Sequence, residues 1–185
     1  MPALEDDAAA AARVARDGAS AAVDLTAASI ACRTAFGADV LAHDIRTYDE
    51  FYRDTGVRPV TRDVLLAESD ILTIHVPLDA STRGMIGASE LARMKASAFL
   101  LNTARGGIVD EAALQRALVD GRLAGAACDV FAEEPPADPG LLALPTFIGT
   151  PHIGGSTQES VLAMGRAAIA GLDGLDGAVD LTSFA

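Results

Sequence analysis

His152 stands in Thr150-Pro151-His152-Ile153-Gly154-Gly155, with a proline before it and two glycines after it. That context makes a tight, exposed turn in which a histidine has little packing to do. Arg105 precedes a Gly-Gly pair, Glu134 precedes Pro135-Pro136, Asp129 follows Cys128, Asp44 follows His43, and His75 precedes Val76-Pro77. An arginine, a histidine and several carboxylates form a set able to hold an anion and move a proton. Each has a plainer reading when taken alone. Asp44 and Glu134 suit solvated loops, His75 suits a packed or backbone-bonded histidine, and Arg105 has many acids to pair with. His43 lies inside an apolar stretch and reads as structural or exposed. The case for chemistry rests on their convergence.

That convergence follows from the elements that must carry them. Residues 39–43 read as a short strand ending at Asp44, and 57–60 as a brief one. Residues 71–76 form a near-continuous β-branched run of the kind buried on both faces, and 98–102, 123–130 and 146–149 complete the strands. Helices are predicted over 62–68, 89–95, 110–120 and 157–170. The third of these places Leu114, Ala117 and Leu118 on one face and is closed by Gly121. Upstream, 5–16 reads as an alanine-rich helix with acids first, arginines last and Gly18 to stop it. Residues 27–36 read as another helix, capped by Thr26 and stopped by Gly37.

Strands alternating with helices give an α/β class, a Rossmann-like doubly wound and mostly parallel sheet. Ligands of such sheets bind at the carboxyl ends of the strands, where the polar residues above fall. The Pro/Ala/Asp-rich stretch 133–140 is a loop within the domain. The expected organisation is an N-terminal helical segment over 1–25 and one domain over 26–185.

Composition narrows the partners. The 185 residues carry 14 basic and 26 acidic side chains, a net charge of −12, and 4% aromatics. With no basic run, nucleic acid and anionic membranes are poor partners. Half of the residues are apolar, which excludes wholesale disorder. No stretch reaches a membrane span, and the acidic N-terminus is unlike a signal peptide, so a cytoplasmic protein is the expectation. Cys32 and Cys128 form no C-x-x-C and read as buried free thiols, and no metal site is expected.

Asn-Thr-Ala-Arg-Gly-Gly-Ile-Val-Asp-Glu-Ala-Ala-Leu at 102–114 resembles a signature of the D-isomer-specific 2-hydroxyacid dehydrogenases, most closely their phosphoglycerate dehydrogenase branch. So do Asp-Ile-Leu-Thr-Ile-His-Val-Pro-Leu at 70–78, Cys-Asp-Val-Phe-Ala-Glu-Glu-Pro at 128–135 and Thr-Pro-His-Ile-Gly-Gly-Ser-Thr at 150–157. The resemblance implies a dinucleotide-binding domain, NAD as cofactor, a 2-hydroxy or 2-oxo acid as substrate, and a homodimer surface. By the same resemblance Arg105 holds the substrate carboxylate, His152 is the acid–base group, and Glu134 bonds His152. Asp44 would take the ribose hydroxyls, and His75, Val76, Thr103, Asp129 and Gly154 would line the dinucleotide.

The family pattern also requires G-x-G-x-x-G about 20 residues before its ribose-binding acid. Here residues 22–30, Ala-Val-Asp-Leu-Thr-Ala-Ala-Ser-Ile, contain no glycine. The first strand, the phosphate loop and the preceding substrate domain are expected to be missing. The expectation is therefore an impaired dehydrogenase with an open, solvent-exposed site. The alternative is an inactive remnant that serves only as an interaction or dimerisation module.

Overall fold

The computed structural model describes residues 39–136 and 138–173. The helices expected at 5–16 and 27–36, the glycine-free window and Cys32 lie outside the described residues. The chain runs β1 (Leu41–Ala42), α1 (Asp49–Thr55), β2 (Arg58–Pro59), α2 (Arg62–Glu68), β3 (Ile71–Ile74) and α3 (Ala88–Leu91). It continues through β4 (Phe99–Asn102), α4 (Glu111–Val119), β5 (Gly125–Cys128), β6 (Phe147–Gly149) and α5 (Gln158–Asp173).

Every strand pair is parallel, as alternation with helices requires. β3-β4-β5-β6 form one sheet and β1-β2 a separate pair. In the order 3-2-1-4-5-6, β1 and β2 correspond to the strands numbered 2 and 3, and β3 onward to those numbered 4 and later. Two pieces are what that order leaves when its first strand is not among the described strands.

Local chemistry accounts for the element ends. Thr61 caps α2 by accepting from the Val64 amide, and Asp110 caps α4 by accepting from the Ala113 amide at 2.9 Å. The packed face of α4 carries Ala113, Leu114, Ala117 and Leu118. These meet Leu66 of α2, Leu91 of α3, and Leu72, Ile74, Leu100, Ala126 and Cys128 of the sheet in one core. A smaller cluster of Phe51, Tyr52 and Val57 secures α1 against the β1-β2 pair.

Three expectations are corrected. The run 71–76 is not buried on both faces: Leu72 and Ile74 are buried, whereas Ile71 is 62% exposed and Ile148 in β6 is 66% exposed. Among the described residues the helices of the main core all pack on the Leu72–Leu100 face, which leaves the other face open. The same strand stops at Ile74 because β4 ends at its partner Asn102 and turns into the Arg105 loop, so His75 and Val76 find no ladder partner. The helix expected over 89–95 covers Ala88–Leu91 and relaxes into turns. One helix was not expected at all: α1, with Asp49 and Glu50 in its first turn, ends on Gly56 in the left-handed region at φ 67°.

Candidate active site

Because β3 to β6 are parallel, the residues that follow them share one edge of the sheet. His75 follows β3, Thr103 and Arg105 follow β4, Asp129 and then Glu134 follow β5, and Thr150, His152 and Gly154 follow β6. Asp44 lies just past β1, in the separate pair.

His152 and Glu134 form a pair: Nδ1 of the histidine lies 3.0 Å from Oε2 of the glutamate. An ionised carboxylate only accepts, so Nδ1 carries the hydrogen and Nε2 is left for chemistry. The other glutamate oxygen accepts from the Phe131 amide at 3.1 Å. The His152 hydrogen bond first, and the Phe131 amide second, hold the Glu134 carboxyl below the usual glutamate range. Both side chains are open to solvent, 47% and 40% exposed, and Arg105 is exposed as well.

His152 takes φ 54°, a left-handed conformation that a residue with a side chain adopts at a cost. Asp129 holds that turn. Its Oδ1 accepts from the Thr150 hydroxyl and from the Ile153 amide at 2.9 Å, and its Oδ2 accepts from the Gly154 amide at 2.8 Å. A Cβ on Gly154 would sit 2.9 Å from Asp129 Oδ2, so a larger residue there would push the carboxylate off that amide. Asp129 and Gly154 thus brace the histidine turn, whatever else they contact.

Burial raises the pKa of Asp129, but hydrogen bonds from Thr150, Ile153 and Gly154 outweigh it and leave the carboxyl below its ordinary 3.8. Since the folded value lies below the unfolded one, the stabilisation is complete above about pH 4 and is lost as pH falls through the folded value. Burial also lowers the pKa of His75, so its contribution is lost as pH falls below about 6.5, where the unfolded chain binds the proton more readily. Asp129→Asn is expected to cost about 1.5–3 kcal/mol at pH 7 and to flatten the acid limb below pH 4. Urea unfolding across pH measures both; an unchanged acid limb would refute the bracing role.

The Arg105 loop is organised by Asn102, a residue that sequence reasoning did not single out. Buried at 2% exposure, Asn102 accepts from the Ala104 amide at 3.1 Å and donates to the Arg105 carbonyl at 3.0 Å. Its own carbonyl accepts from the Asp129 amide. Its signal was a polar residue ending an otherwise apolar strand. Gly106 follows for a steric reason, since a Cβ there would come 1.8 Å from the Phe131 carbonyl oxygen.

Between the strand ends lies a cavity of about 100 Å³ lined by Thr73, Leu101, Thr103, Ala127, Cys128, Asp129, Ile148 and Thr150. The Thr103 hydroxyl is buried without a partner. Apolar walls with one unmet hydroxyl suit a flat heterocycle that brings its own hydrogen-bonding group. The Cys128 thiol is pushed up to about 12 by burial and then by the Glu111 charge, so it is an inert wall and not a nucleophile. His75 Nε2 lies 2.9 Å from the Thr73 hydroxyl, and Val76 packs on the core. Asp44 accepts from the Arg46 amide at 2.9 Å, and its pKa is raised, mainly by burial. The residues present therefore fit the nucleoside ends of a dinucleotide. The phosphate-binding window lies outside the described residues.

The model of the D-isomer specific 2-hydroxyacid dehydrogenase NAD-binding domain matches residues 25–154. The chain belongs to this family. It is 47% identical over 137 residues to a glycerate dehydrogenase of Methylorubrum extorquens, covering 72% of this chain and 41% of that protein. A glyoxylate reductase from Paecilomyes thermophila superposes with a TM-score of 0.75 at 38% identity, over 82% of this chain and 45% of that one. A D-lactate dehydrogenase from Lactobacillus jensenii, solved with NAD+, gives 0.72 at 36% identity, over 79% and 48%. The chain thus spans less than half the length of these relatives. NAD is the family's cofactor, and the α/β fold is the family's. Among the described residues no helix is long and apolar enough to cross a membrane, and no group of metal-binding side chains occurs.

Proposed function

We propose that this chain is the nucleotide-domain half of an NAD-dependent 2-hydroxyacid dehydrogenase, interconverting a 2-hydroxy and a 2-oxo acid. The observation that carries the reading is the 3.0 Å His152–Glu134 pair on the sheet edge that also bears Arg105. When bound, the cofactor would supply hydride to C2 of the substrate as NADH or take it up from C2 as NAD+. Arg105 binds the substrate carboxylate with its guanidinium fork. In reduction, Nε2 of His152 gives its proton to the carbonyl oxygen as C2 gains the hydride; in oxidation it takes that proton from the hydroxyl. Glu134 keeps the hydrogen on Nδ1 and fixes the ring. Thr103 and Asp129 would line the dinucleotide, and Asp44 would receive its ribose hydroxyls.

A second reading is favoured by one specific feature, the absence of glycine from residues 22–30. A chain unable to seat the pyrophosphate retains the acid–base pair without turning over, and acts only through contacts with other proteins. Glyoxylate with NADH, and D-glycerate with NAD, at millimolar cofactor separate the two. Slow turnover that Arg105→Ala abolishes supports the dehydrogenase; no turnover in either direction supports the inactive module.

A further inference from the structure

The peptide that joins Phe131 to Ala132 is gripped from both sides. Its N–H, from Ala132, donates to Glu111 Oε1 at 2.6 Å. Its carbonyl, from Phe131, lies where a Cβ on Gly106 would come within 1.8 Å, so the Arg105 loop rests directly on it. One step back, the Phe131 N–H donates to Glu134 Oε1, and the other oxygen of Glu134 meets His152. Displacement of this segment would disturb both the Arg105 loop seated on the Phe131 carbonyl and the neighbouring Phe131 amide that holds Glu134.

Glu111 is the first residue of α4, and the N-cap of that helix is already served by Asp110. Its carboxylate therefore spends its hydrogen bond on a loop 21 residues away in sequence and not on its own helix end. An ionised acceptor at 2.6 Å is the strong member of this network. We infer that Glu111 is a positioning residue, which clamps the Phe131–Ala132 peptide so that Glu134 stays aligned on His152 and the Arg105 loop stays seated. It touches none of the reacting groups. Only the consequence for turnover rests on the dehydrogenase reading; the positioning itself does not.

The test uses the full chain labelled for NMR, following the Ala132 amide and the side-chain carboxyl of Glu134 through a pH titration. In Glu111→Ala, exchange of the Ala132 amide is expected to rise about tenfold, the loss of one hydrogen bond of ordinary net strength. The Glu134 titration is expected to move upward, toward the usual glutamate range. Glu111→Gln keeps a side-chain oxygen acceptor and is expected to restore the Glu134 midpoint. Glu111→Asp keeps the charge but withdraws the acceptor by one methylene, is expected to behave like alanine, and stands in if the alanine variant does not fold. A purely structural Glu111 would lower the melting temperature and leave Glu134 where it was. That result, in either the alanine or the aspartate variant, overturns the inference. Because no readout uses cofactor or substrate, absence of turnover in the wild-type chain leaves the outcome intact.

Discussion

Glutamine at position 152 is expected to lower turnover of a 2-oxo acid by about 10²–10⁴-fold at saturating NADH, with little change in NADH affinity. The carbonyl oxygen gains negative charge as hydride arrives at C2, and without a proton donor that alkoxide must be protonated by water. Glutamine fills similar space and can still donate to Glu134, so the turn held by Asp129 and the 3.0 Å contact need not collapse. The loss would therefore report proton transfer and not misfolding. Glu134→Gln removes the charge but keeps an acceptor oxygen, so its effect should be smaller and its pH–rate profile shifted. Arg105→Ala should raise KM as well as lower kcat, because the guanidinium contributes to ground-state binding of the carboxylate. Steady-state kinetics on the three variants make the distinction. Equal kcat for wild type and His152→Gln would remove His152 from the mechanism.

The positions of these residues were legible because a parallel sheet offers few choices. Once apolar runs at 71–76, 98–102, 123–130 and 146–149 are read as parallel strands, everything just past them lies on one edge. The His152 turn was legible too, since proline before and glycines after leave a histidine little to pack against. What the sequence hid is the bracing. Asp129 reaches the Ile153 and Gly154 amides 24 and 25 residues on, and Glu111 reaches Ala132 across 21 residues. Hydrogen bonds of that span leave no local periodicity. The resemblance assigned Asp129 to the dinucleotide, and nothing in that assignment disclosed that three of its hydrogen bonds go to the histidine turn. Helix α1 was missed for the opposite reason: its signals, two acids and a closing glycine, are real but sit in a polar stretch with Phe51 and Tyr52 as its only buried residues. The two-sided burial expected of 71–76 was a rule about complete doubly wound sheets. It fails here on the face bearing Ile71 and Ile148.

NADH affinity is the place where this chain should depart furthest from its family. A dinucleotide pyrophosphate is normally held by backbone amides at a helix N-terminus, and glycines allow those amides to come close and to adopt positive φ. From 22 to 30 every residue of this chain bears a Cβ, with Leu25-Thr26-Ala27-Ala28 at the matching place. Two charge-assisted hydrogen bonds lost at about 1.5 kcal/mol each come to about 3 kcal/mol, a weakening of at least a hundredfold relative to a member with the intact G-x-G-x-x-G. Asp44, Thr103 and the cavity between the strand ends would still hold the nucleosides. The expected pattern is therefore specific: ADP-ribose and adenosine should bind within a few-fold of one another, because the phosphates add little, and NADH should exceed both only by what its nicotinamide nucleoside contributes. Added salt should change the NADH affinity only weakly, since few phosphate contacts remain to be screened. Fluorescence titration with NADH and competition by the two fragments measure this directly. Micromolar NADH binding, with ADP-ribose far tighter than adenosine, would mean that residues 22–30 bind phosphate without glycine, and the inactive-module reading would lose its support.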